Sequence, residues 1–278
     1  MNVLQAVILG VVEGITEFLP VSSTGHLTVT EKLLGLQIDD KGVTAFTAII
    51  QVGAILAVVI YFWKDIVRLV VGFFRGLGSA EARTEPVWRE GLFVIVGTIP
   101  IAIIGLLAKP LIEGGLRSLW VVAAALVLWS AVIVFAERAA TQRRGESEVR
   151  LRDALLIGLA QCVALVPGVS RSGATISAGL LLDLDRVAAT RLSFFLSIPA
   201  LTAAGGLEAV SSASDISDSV GWTATAVGTL VSGLVAYAAI AWLLKLVAHH
   251  QLTVFVWYRV PAGILLALLL AFGAISAT

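Results

Sequence analysis

The sequence predicts an all-α integral membrane protein with six transmembrane helices plus two re-entrant helix–loop–helix hairpins in an inverted-topology repeat. Three observations predict it. Six long apolar stretches recur along the chain, two further apolar stretches are interrupted by Pro, Ser and Gly, and those two resemble each other at an offset of 148 residues. The chain has 278 residues, of which 58% are hydrophobic and 14% charged. A soluble domain of that size could not hide so much apolar surface, so the bilayer is the expected solvent. The formal net charge is zero, which argues against nucleic acid as a partner. The single cysteine, Cys162, excludes an internal disulfide.

The first element spans residues 3–34. It begins uncharged (MNVLQAVILGVV), lacks a basic n-region and contains Glu13, so it is expected to belong to the mature fold and not to a cleaved signal peptide. It breaks at Pro20-Val21-Ser22-Ser23-Thr24-Gly25. Spans are expected near 43–63, 90–108 and 118–136. The second broken segment, 153–182, is interrupted at Pro167-Gly168-Val169-Ser170-Arg171-Ser172-Gly173, and spans near 192–210, 222–244 and 253–275 follow. A proline followed by Ser and Gly ends one helix and caps the next. Each half is then about 13–17 residues, about 20–25 Å at the α-helical rise. That is short for a crossing, so both segments read as re-entrant hairpins, with an unbroken but kinked span as the alternative. The whole chain forms one membrane domain of two repeats, 1–140 and 150–278, each a hairpin plus three spans.

Basic residues orient the chain. Segment 64–89 holds Lys64, Arg68, Arg75, Arg83 and Arg89, and segment 137–152 holds Arg138, Arg143, Arg144, Arg150 and Arg152. Two spans separate them, which places both on the cytoplasmic side. Segment 209–221 has no Lys or Arg and falls outside. The repeat pairs Glu13 with Gln161, Ser22 with Ser170, Thr24-Gly25 with Ser172-Gly173 and Phe46 with Phe194, and VGT at 96–98 resembles VGT at 227–229. Three crossings per half invert the second copy, so the hairpin tips would meet near the midplane. Broken helices in an inverted repeat mark a buried polar site.

The residues at the tips indicate its chemistry. Glu13 and Glu17 share one helix face and would be costly against lipid. Two carboxylates on one face suit a hard divalent cation or acid–base work; a hydrogen-bonded pair near a helix end is the plainer alternative. Ser22 and Ser23 begin the second half-helix, and His26 lies one turn on, within reach of an activated hydroxyl. The plainer alternative is capping serines and a buried ring. In the second tip Arg171 sits among Ser170, Ser172 and Thr175, where its planar fork and nearby glycines suit phosphate oxygens. The constellation fits phosphoryl transfer. Elsewhere, Arg259 beside Trp257 and Tyr258 is expected to snorkel to the interface. His249 and His250 are expected to be exposed, and Thr98-Ile99-Pro100 and Ser197-Ile198-Pro199 read as matched kinks.

With these residues in view, the chain resembles the undecaprenyl-diphosphate phosphatase, or bacitracin-resistance, family. The likeness covers essentially the whole length and rests on EGITEFLPVSSTGH (13–26), which carries ExxxE as Glu13 and Glu17, and on PGVSRSGAT (167–175), which carries PGxSRSxxT. The resemblance implies hydrolysis of undecaprenyl diphosphate to undecaprenyl phosphate and inorganic phosphate, which recycles the lipid carrier of cell-wall synthesis. It also implies dependence on Mg²⁺ or Ca²⁺ and a bacterial inner-membrane protein whose site faces the periplasm. Carried onto matching positions, its catalytic residues are Glu17, Ser23, His26 and Arg171. Ser22, Ser170, Arg171, Ser172 and Thr175 would bind the diphosphate, and Glu13 and Glu17 would bind the metal or tune His26. Ser23 is the candidate nucleophile with His26 as its base or as proton donor; direct attack by His26, or water activated by it, stays open. The expected partners are a polyprenyl diphosphate and the membrane, and a homodimer is compatible with the sequence. A transporter or flippase of a phosphorylated lipid or small anion is the competing class, because broken inverted repeats also suit transport. The Ser–His pair beside an arginine favours an enzyme. A purely structural membrane protein would leave the polar tips without a use.

Overall fold

A computed structural model describes residues 1–38, 40–114, 116, 118–211, 216 and 220–277. Among these residues lie eleven α-helices: α1 (Val3–Thr16), α2 (Ser23–Leu33), α3 (Lys41–Tyr61), α4 (Trp63–Gly78), α5 (Pro86–Glu113), α6 (Leu119–Ala139), α7 (Leu151–Val163), α8 (Arg171–Leu181), α9 (Arg186–Ser211), α10 (Trp222–His249) and α11 (Thr253–Ala271). Six of them, α3, α5, α6, α9, α10 and α11, are long and apolar enough to cross a bilayer. Each overlaps one expected span. Most of the 209–221 segment expected outside lies beyond the described residues.

The two interrupted stretches are pairs of short helices. α1 and α2 have 14 and 11 residues, α7 and α8 13 and 11. At 1.5 Å per residue these are about 17–21 Å long, less than the hydrocarbon thickness. Each second helix starts after a serine in the left-handed region, Ser22 at φ 79° and Ser170 at φ 78°. That conformation is uncommon for a residue with a Cβ and marks a chain held by its surroundings.

Packing repeats as well. α1 lies against α10, and α7 against α5. At the first crossing a Cβ on Gly10 would meet the Gly228 carbonyl oxygen at 2.5 Å. At the second a Cβ on Gly158 would meet the Gly97 carbonyl oxygen at 2.1 Å. Gly10 and Gly158 are equivalents at the offset of 148, and Gly97 and Gly228 are the glycines of the two VGT stretches. One small-residue crossing is therefore made twice, each time between a short helix of one half and a span of the other.

Segment 64–89 departs from the simple basic loop that its charges suggest. Trp63–Gly78 is a helix whose Trp63, Val67, Val70, Val71, Phe74 and Leu77 form an exposed apolar face, the pattern of a helix lying in the interface. The two basic segments nevertheless meet at one end of the molecule. Arg191 pairs with Asp65 at 3.0 Å and with Glu146 at 2.8 Å, Arg186 holds Glu137 at 2.7 Å, and Arg144 pairs with Asp153. Asp153 raises the Arg144 pKa through that contact. His249 and His250 are exposed, as expected. At the opposite end the Lys32 ammonium donates to the Ser276 carbonyl at 2.7 Å, and the Leu119 N–H to the Ala277 carbonyl at 2.9 Å.

Candidate active site

The site is assembled where the turn after α1 meets the turn after α7. The Gly168 N–H donates to Ser22 Oγ at 3.2 Å, and Ser170 Oγ reaches the Leu19 carbonyl at 3.4 Å. Residues 146 to 151 positions apart are thus in direct contact. Ser22 spends its hydroxyl on this junction, and no side chain caps the N-terminus of α2. Ser170, its equivalent, does cap its own helix, accepting from the Gly173 N–H at 3.1 Å.

Sequence reasoning missed the residue that ties the turns together. Arg259 of α11, expected to snorkel, has no exposed surface. Its guanidinium donates to the carbonyls of Pro20 at 2.9 Å, Gly168 at 3.0 Å and Val169 at 3.2 Å, and to Ser130 Oγ of α6 at 3.2 Å. Only a planar, permanently charged fork can serve acceptors from both turns at once. Pro20, Gly168 and Val169 are buried, and buried turn carbonyls outside any helix need such a donor. An arginine in an apolar span was itself a signal, and its aromatic neighbours disguised it.

Glu17, at the C-terminal end of α1, is the centre of the polar cluster. Ser23 Oγ donates to its Oε2 at 2.6 Å, and the Arg171 guanidinium donates to its Oε1 at 3.0 Å. Gln51 of α3 approaches Oε2 at 3.5 Å, and the Arg171 guanidinium lies 5.9 Å from the Phe18 ring centroid. The Ser23–Glu17–Arg171 chain joins both sequence motifs. The expected Ser23–His26 contact does not form. His26 Nδ1 is 2.6 Å from the Ser22 carbonyl, which can only accept, so Nδ1 carries the proton; in the neutral ring Nε2 then accepts from the Tyr258 hydroxyl at 2.6 Å. The positive φ of Ser22 turns Ser23 back toward α1, while His26 faces α11.

Two cavities flank Ser23. One, of about 190 Å³, is lined by Glu17, Ser22, Ser23, Gln51, Gln161, Ser170 and Arg171. The other, of about 240 Å³, is lined by Glu13, Ser23, Thr28, Glu31, Thr47 and Gln51 among others. Ser172 and Thr175 line neither; Ser172 pairs with Ser170 at 3.1 Å and Thr175 with Ser193 of α9 at 2.6 Å, which secures α8 behind Arg171. Among the described residues no group of three or more His, Cys, Asp and Glu gathers as a metal cluster. Glu13, however, is almost wholly buried, and neither of its carboxylate oxygens has a partner. A buried carboxylate without a donor is costly, and either a proton or a cation relieves it. One or two carboxylates plus substrate oxygens are a usual set for Mg²⁺, so Glu13 and Glu17 fit such an ion.

Known proteins similar to this chain cover its whole length. Undecaprenyl-diphosphatase 3 of Frankia casuarinae is 57% identical over all of both chains. Undecaprenyl-diphosphatase of Cutibacterium acnes is 54% identical, again over all of both chains, and that of Corynebacterium diphtheriae is 45% identical over 98% of this chain and 96% of its own. A family described as bacitracin resistance protein BacA matches residues 6–265. The match over residues 6–265 and these full-length relatives make the chain a member of the BacA family, and its six long apolar helices fit a multi-pass membrane protein.

Proposed function

We propose that the protein hydrolyses undecaprenyl diphosphate to undecaprenyl phosphate and inorganic phosphate, and so returns the lipid carrier to cell-wall synthesis. The names of its full-length relatives support the substrate, and the Ser23–Glu17–Arg171 chain carries the mechanism. A hydroxyl 2.6 Å from a buried carboxylate is a nucleophile beside its base, an arrangement that anion transport would not require.

Ser23 Oγ attacks the terminal phosphorus as Glu17 takes its proton, and the bond to the lipid phosphate breaks with its electron pair leaving on that phosphate. Water then releases inorganic phosphate from Ser23. Arg171 has one guanidinium nitrogen on Glu17 and another, Nη1, without a partner, which is available to the transferred phosphoryl oxygens. The uncapped N-terminus of α2 offers backbone N–H groups to the same charge. A divalent cation held by Glu13 and Glu17 would neutralise diphosphate charge as the anhydride breaks. His26 is a positioning residue here: Tyr258 and the Ser22 carbonyl hold it, and it steadies the turn that aims Ser23. Both hairpins enter the membrane without crossing it, in opposite directions, and the site opens to the periplasm of the inner membrane. The repeated glycine crossing and the joined charged segments at one end support that topology.

The test is phosphate release by purified protein in detergent with Mg²⁺ or Ca²⁺. Wild type should release phosphate from undecaprenyl diphosphate, and Ser23→Ala should lose about 1,000-fold or more of that rate. No release by wild type would end the reading, and an active Ser23→Ala would remove Ser23 as nucleophile.

A further inference from the structure

Gln161 of α7 is the largest unexplained cost in the site. It has no exposed surface, neither its Oε1 nor its Nε2 has a partner, and it lines the cavity that holds Arg171, Ser170 and Ser23. Buried amides are ordinarily satisfied, and one left with both ends free is explained by what enters beside it. Arg171 Nη1, unpartnered as well, belongs to a residue on the same cavity wall.

The repeat sharpens the case. Gln161 is the equivalent of Glu13, and both are buried side chains without a partner, at one register of α7 and α1. The two positions differ in charge and in hydrogen-bond donors, and they line different cavities. Glu13 is a carboxylate and suits a cation; Gln161 has a neutral amide with two N–H donors, which suits an anion next to Arg171 and would repel none. We infer that Gln161 binds a phosphate oxygen of the diphosphate, so that the repeat's one Glu-to-Gln difference separates the anion-binding wall from the cation-binding one. The inference rests on the phosphatase reading. The Nε2 amide donates to a phosphoryl oxygen, and Oε1 accepts from water or a protonated phosphate oxygen.

A binding role and a packing role give opposite signatures. Gln161→Leu removes two unpaired polar atoms from the resting protein, so its thermal midpoint should equal or exceed that of wild type. Its KM for undecaprenyl diphosphate and the inorganic phosphate concentration that half-stabilises the protein against heat should rise together by about 10-fold or more. Gln161→Met provides a second apolar side chain should Leu pack badly, and Gln161→Glu should weaken phosphate further than either. Unchanged KM and unchanged phosphate stabilisation in the apolar variants would overturn the inference, as would a lowered midpoint in both of them. Stabilisation by inorganic phosphate is read without turnover. Absent lipid hydrolysis by wild type would therefore count against the phosphatase reading, and absent Gln161 effects on phosphate against this inference alone.

Discussion

Arg259→Met should loosen both turns at once, and the size of the effect follows from its contacts. The substitution keeps an unbranched apolar stem but removes the donors to Pro20, Gly168 and Val169 at 2.9, 3.0 and 3.2 Å. A buried acceptor stripped of its donor costs about 1–3 kcal/mol, so three of them cost about 3–9 kcal/mol. Against typical fold stabilities of about 5–15 kcal/mol that is a large share. At about 2–4 °C per kcal/mol for a chain of this size, the thermal midpoint should fall by about 6 °C or more. Tryptophan fluorescence during heating in detergent reads the midpoint, and phosphate release at a temperature below both midpoints reads the site. Turnover should fall even there, because Ser23 and Arg171 are aimed by the turns that Arg259 clamps. Arg259→Lys should be intermediate, since one ammonium cannot span both turns. A methionine variant with wild-type midpoint and wild-type turnover would refute the reasoning.

Glu13→Gln should raise the Mg²⁺ or Ca²⁺ concentration needed for half-maximal phosphate release by about 10-fold or more, because it removes half of the carboxylate pair; an unchanged cation requirement would remove Glu13 from the ion's site. Gly158→Val should strongly reduce the yield of folded protein, because its Cβ would lie 2.1 Å from the Gly97 carbonyl oxygen, whereas Gly78→Ala has nothing within 4 Å and should behave as wild type. Size-exclusion chromatography after membrane extraction separates these outcomes, and a well-folded Gly158→Val would show that α5 and α7 do not cross so closely.

Most of the fold was legible in the sequence because a bilayer leaves few alternatives. Length and apolarity mark the six spans, and Pro20 and Pro167 punctuate the short helices. What escaped depends on partners far away in the chain. The acceptors of Arg259 lie 90 to 239 residues distant, so its neighbours Trp257 and Tyr258 suggested the interface instead. His26 finds its partner 232 residues away in Tyr258, and helical spacing alone pointed it to Ser23. Ser23 reaches Glu17 across a turn whose left-handed Ser22 has no signature in residue type. α4 was hidden because its charges read as a loop while its apolar face, period 3.6, lies among them.

In the proposed mechanism Glu17 and Arg171, 154 residues apart, act as one centre. A double-mutant cycle on phosphate release from undecaprenyl diphosphate tests that most directly, using Glu17→Gln, Arg171→Ala and the pair. Contacting residues that work as a unit are not additive, so the double variant should be scarcely slower than the slower single one. Losses that multiply in full would mean that Glu17 and Arg171 act independently, and the shared site would have to be given up.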